Sequence, residues 1–183
     1  MQDWIETKDD YLDTPNPRLP DREHFGVLLT KLGDIELPDF VAMDKNGRAI
    51  LVAQVIGHPH NFQDANTRKY ALLRLIDVLK FATKNLIPFA MLVDRENIEF
   101  FRWDGQNLFE PILSLNTADV LSHYSPKFNE KKEIYKSYLT GFTESWLHDL
   151  ASHWNSETPP YNKEIEEIGF LKLIEGGTTR TYY

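Results

Sequence analysis

The sequence predicts one α/β domain, a mixed β-sheet carrying helices on its faces. Three observations carry this expectation. Two apolar segments, 35–44 and 49–57, flank Lys45-Asn46-Gly47-Arg48, whose Asn-Gly step is a strong hairpin signal. A long amphipathic segment follows, and after it comes a short apolar run at 89–93 of the kind found in fully buried strands. A hairpin joined through a crossover helix to a further strand requires both antiparallel and parallel pairing. The length of 183 residues fits a single domain with a sizeable core.

In chain order, residues 1–20 are acidic and interrupted by Pro15, Pro17 and Pro20, which reads as an arm. Residues 21–32 form a helix with Phe25, Leu28, Leu29 and Leu32 on one face and Gly33 as its stop. After the hairpin, Asn61 caps a helix running to about residue 84, with Leu72, Leu75, Ile76, Leu79 and Leu86 as its buried stripe. Strands at 89–93 and 98–103 are joined by a turn at 94–97, and Asp104-Gly105 marks the next turn. Asn116 or Thr117 caps a short helix containing Val120 and Leu121. A longer helix covers 130–154 through Ile134, Tyr138, Phe142, Trp146, Leu147 and Leu150. In the tail, 170–174 and 178–183 flank Glu175-Gly176-Gly177 and read as a hairpin. The domain thus divides into an arm (1–20), a core (21–103), a C-terminal helical part (104–154) and a tail (155–183).

The composition narrows the function classes. Absence of cysteine excludes disulfides, thiolate zinc sites and cysteine nucleophiles. The opening residues lack a signal-peptide pattern and no apolar run approaches the roughly 18 residues of a membrane span, so a soluble, cytoplasmic protein is expected. A formal charge of −8 argues against general nucleic-acid binding. Most of that charge lies at the two ends, in 1–24 and 155–183, which are expected to be solvated flanks.

Pro38-Asp39 in the first strand, followed by Ala53-Gln54-Val55-Ile56-Gly57 at the end of the second, resembles the PD-(D/E)XK signature of the restriction-endonuclease-like nucleases. The resemblance spans 21–103 in element order and implies a nuclease-like core extended by C-terminal helices. In that superfamily the aspartate and a second acid hold Mg²⁺, a hard cation that prefers carboxylate oxygens, and a lysine two residues on helps activate water. Strand alternation places positions 54 and 56 on one face. Here they are Gln54 and Ile56, so the site implied by the resemblance is vestigial. The favoured expectation is a catalytically inactive or attenuated protein, without cofactor, acting as a binding or interaction module.

Two alternatives stand beside it. One is a Mg²⁺-dependent DNA endonuclease with a rearranged site built from Asp39, Gln54 and a cation supplied by Arg68 or Lys69. Arg68 lies within about 25° of the buried face of its helix, and Lys69 about 75° away. An ion pair between Arg68 and Asp39 is the expected contact, since a half-buried aspartate needs a partner. The other is a homodimer whose tail hairpin pairs between chains. Asp39 is the candidate metal ligand, with His58 on the same strand face and His60 close by. Asn66 and Tyr70 stand at the spacing of a motif found in some of those nucleases, although Tyr70 is expected to pack under the C-terminal helix. Tyr138, Phe142, Trp146 and Trp154 are expected to be core or dimer contacts rather than a base-stacking platform.

Overall fold

The computed structural model describes residues 35–82 and 86–182. The acidic arm, the helix expected at 21–32 and the end expected near 84 for the second helix lie outside those residues.

Strands β1 (Phe40–Met43) and β2 (Ala49–Val55) are apolar almost throughout because both of their faces are covered. They pair antiparallel with Phe40 opposite Ala53, and the register shifts between Ala42 and Met43. The turn between them is built on Asp44, whose carboxylate accepts from the backbone N–H of Asn46 and of Arg48 at 2.8 and 3.0 Å. Gly47 supplies the required positive φ of 76°.

Helix α1 (Ala65–Phe81) crosses to β3 (Phe89–Val93), which pairs parallel with β2. Its N-cap is Asp64, which accepts from the N–H groups of Asn66 and Thr67. The expected cap, Asn61, instead closes a turn by accepting from the Gln63 N–H, which delays the helix by three residues. Strand β4 (Asn97–Arg102) returns antiparallel to β3, and β5 (Leu113–Asn116) pairs antiparallel with β4. This β5 was hidden in a region expected to be helical: only Leu113 and Leu115 carry the alternation, too few to signal a strand.

Helix α2 (Thr117–Leu121) is capped by Asn116, as expected. The long helix, α3, spans Lys136–Ser152 rather than 130–154 and is preceded by a 3₁₀ turn at Phe128–Glu130. Short helices α4 (Asn162–Glu167) and α5 (Leu171–Ile174) lead into β6 (Thr178–Thr181). The tail is therefore not a hairpin. Its first half is helical, and β6 pairs antiparallel with the free side of β1, with Phe40 opposite Thr181. Gly177 permits that approach, since a Cβ there would sit 2.1 Å from the Met43 carbonyl oxygen.

The result is a six-stranded mixed sheet in the order β5-β4-β3-β2-β1-β6. Val41, Val52, Ala90, Leu92 and Phe101 meet Ala71, Leu75 and Leu79 of α1 on one face. Phe40, Ala53, Met91 and Phe100 meet Leu139, Trp146, Leu147 and Leu150 of α3 on the other, together with Phe170 and Ile174. Each large side chain buried in these layers contributes on the order of 1.5–3 kcal/mol. Among the described residues no helix is long and apolar enough to cross a membrane.

Candidate functional site

Asp39 stands immediately before β1 and donates its N–H to the carbonyl of Ala53, the residue opposite Phe40, at 2.9 Å. The paired ladder ends with Phe40 opposite Ala53, and just beyond it the side chains of Asp39 and Gln54 meet. Gln54 Nε2 donates to Asp39 Oδ2 at 2.6 Å, and the Val55 N–H donates to the same oxygen at 2.6 Å. The other oxygen, Oδ1, is 2.5 Å from Lys136 Nζ at the start of α3. Both carboxylate oxygens of Asp39 are thus occupied by donors. Gln54 is only 1% exposed, whereas the Lys136 side chain is 48% exposed.

Gly57 makes this arrangement sterically accessible. A Cβ on Gly57 would lie 2.1 Å from the Lys136 backbone nitrogen, so only glycine lets α3 begin against the end of β2. The His58 N–H donating to the Ile134 carbonyl at 2.8 Å fixes the same junction. A cavity of about 420 Å³ opens beside Asp39 and Lys136, walled by Ser137, Thr140, Thr181 and Tyr182.

The other expected residues are placed elsewhere. Arg68 does not reach Asp39; its guanidinium pairs with Glu99 on β4 and lies 5.6 and 5.8 Å from the ring centroids of Phe62 and Phe101. The helical phase correctly aimed Arg68 at the sheet but carried no information about which strand it would meet. Gln54, Leu92 and Glu99 follow one another across the sheet in a single row; Asp39 binds Gln54 at one end of it and Arg68 meets Glu99 at the other. Lys69 is exposed on an apolar groove with Leu72, Leu73 and Leu108. Ile56 is partly buried against the apolar cluster of the α1 face.

His58 does not join Asp39 either. Strand β2 ends at Val55, and the His58 ring turns edge-on to Tyr135 with Nε2 3.8 Å from a Glu133 carboxylate oxygen. Among the described residues no group of three or more His, Asp or Glu side chains is arranged to hold a metal ion. The donor set at Asp39 fits Mg²⁺ poorly, because an ammonium and an amide N–H stand where a cation needs oxygen ligands.

Tyr70 is exposed, its hydroxyl 3.3 Å from Glu36, and does not pack under α3. Trp146 is fully buried, edge-on to Phe100, with Nε1 donating to the Pro160 carbonyl at 3.0 Å. Tyr138 and Phe142 pack partly buried against the same core, whereas Trp154 is exposed.

A second concavity, of about 480 Å³, lies at the Glu99 end of that row, where Arg68 and Glu99 form part of its wall. Phe62, Asn97, Glu96 and Asn116 complete much of the rest. Asp94, buried beneath it, is fully employed in the scaffold. Its Oδ2 accepts from the Phe62 N–H at 2.7 Å, and its Oδ1 accepts from the N–H groups of Glu96 and Asn97 at 2.8 Å each. Lys136, Glu99 and this role of Asp94 escaped the sequence reading. A charged residue at position 99 inside the apolar run 98–101 was the available signal for Glu99. Nothing local connects Lys136 to Asp39, 97 positions earlier in the chain.

Comparison with protein-family models, curated proteins and solved structures finds no match to this chain.

Proposed function

We propose that this is a nuclease-fold protein of the PD-(D/E)XK type in which catalysis is lost or strongly attenuated and the domain serves as a binding or interaction module. The observation that carries the reading is the closed hydrogen-bond knot on Asp39. Its carboxylate is held by an amide, a backbone N–H and an ammonium, at the place where a nuclease of that type holds a cation. Gln54 lacks the negative charge that a hard dication requires, and Ile56 has neither charge nor proton to offer. Loss of one electrostatic contact of this kind commonly lowers a rate about a hundredfold or more. The order β1, β2, α1, β3, with the Asp39 and Gln54 side chains in hydrogen-bond contact, is consistent with the resemblance.

A rearranged nuclease draws support from one feature, the ammonium that Lys136 brings to Asp39 from a different helix. The two readings separate in a plasmid-nicking assay with Mg²⁺ or Mn²⁺. The expected result is no metal-dependent cleavage by the unmodified protein. Cleavage that requires the metal and disappears in both Asp39→Ala and Lys136→Ala overturns the proposal and establishes the rearranged site.

A further inference from the structure

We propose that the apolar groove on α1 is the seat of this chain's own segment 21–32, laid across it as an amphipathic helix. This goes beyond the reading of the Asp39 site and does not depend on it. The groove, of about 330 Å³, lies between α1 and the loop that joins β4 to β5. Leu73 stands on its rim and is 49% exposed. Leu72, Ile76 and Leu108 form the floor, partly buried against the α1-face core. Apolar side chains left open to water in this way gain free energy when another apolar surface covers them.

The path of the chain identifies the occupant. Ile35 packs against the same core cluster as Leu72, Ile76 and Leu108. The Glu36 carboxylate then pairs with Arg74 Nε at 2.5 Å and accepts from the Tyr70 hydroxyl at 3.3 Å, which ties the chain to α1. Tyr70 and Leu73 are neighbours there, because residues three apart on a helix lie about 5–6 Å from each other. Gly33 and Asp34 separate Ile35 from Leu32, and such a link spans about 10 Å when extended. Leu32 is therefore within reach of the groove's rim. Phe25, Leu28, Leu29 and Leu32 recur at helical spacing and form an apolar stripe that needs an apolar counterpart. A helix over 21–32 is about 18 Å long, enough to cross α1, which is about 10–12 Å wide, and reach Leu108. The tether favours this segment over a second copy or another protein, since a short link holds it at millimolar effective concentration.

The test is paramagnetic relaxation NMR on the full chain, which has no cysteine and so takes a nitroxide at one introduced site. The label goes on Glu23→Cys, on the side of the segment opposite its apolar stripe. The methyl groups of Leu72, Ile76 and Leu108 are expected to lose most of their intensity, whereas those of Leu147 and Leu150, buried on the other sheet face, keep theirs. Leu73→Asp places a charge on the rim at a half-exposed position and is expected to restore the lost signals. Phe25→Asp breaks the same contact from the segment's side, alters no described residue, and is expected to give the same recovery. A mixture of nitroxide-bearing chains without isotope and isotope-labelled chains without nitroxide reads contacts between copies. Loss of the groove signals in that mixture assigns the groove to a second copy and overturns the proposal. So does full intensity at these methyl groups in the singly labelled chain, which leaves the groove to an outside partner, or a loss that persists in both variants.

Discussion

Replacing Asp39 by alanine separates a structural knot from a retained ligand. The substitution removes the acceptor from two buried donors, the Val55 N–H and Gln54 Nε2, both 2.6 Å from Asp39 Oδ2. Each buried donor left unsatisfied costs about 1–3 kcal/mol. The neighbouring cavity admits water that recovers part of this, so a net loss of about 2–4 kcal/mol is expected. Lys136 is half exposed, and its ion pair adds no more than about 1 kcal/mol. In urea unfolding with a slope of about 2 kcal/mol/M, Asp39→Ala therefore lowers the midpoint by about 1–2 M. Lys136→Met shifts it by less than about 0.5 M. A residue kept for a ligand at the expense of the fold behaves oppositely, and its removal is neutral or stabilising. An Asp39→Ala midpoint equal to or above that of the unmodified protein would therefore refute the reasoning, as would a larger loss in Lys136→Met.

Further outcomes follow from other contacts. Gly57→Ala forces a Cβ to 2.1 Å from the Lys136 nitrogen, and thermal unfolding is expected to show a loss of at least about 1–3 kcal/mol, as for other overpacked positions. Trp146→Phe leaves the Pro160 carbonyl without its indole donor and is expected to destabilise by about 1–3 kcal/mol in urea. Burial pushes the Tyr182 phenol up to about 12, partly offset by Arg180. Its folded value then lies above the ordinary value of 10.0, so the neutral form is favoured by folding, and the stability it contributes below pH 10 is lost as pH rises toward about 12. Ultraviolet difference titration checks this, and ionisation of Tyr182 at the value of a free tyrosine would contradict it.

What the sequence determined by itself is local and periodic. The Asn-Gly turn, the apolar runs of β1 to β4 and the Asn116 cap depend on neighbours within a few residues, and the structure places each where the pattern indicates. The nearness of Asp39 and Gln54 was legible for the same reason, since a hairpin of known turn brings the ends of its two strands together. The ends of helices were less so, because Asn61 and Asp64 are equally good caps and only the loop geometry selects between them. The partners of the polar groups were decided by tertiary structure alone. Helical phase says that Arg68 points at the sheet, but lateral position in the layer gives it Glu99 instead of Asp39. Lys136 reaches Asp39 because α3 starts against Gly57, a contact between segments whose sequences carry no mark of each other. Strand β6 was legible as an extended segment, yet it pairs with β1 and not in a local hairpin, because 171–174 is helical and offers no strand to pair with, and because Gly177 fits beneath the Met43 carbonyl. Period and turn chemistry act over a few residues and are written in the chain; pairing of charges acts over a few ångströms and exists only once the layers have closed.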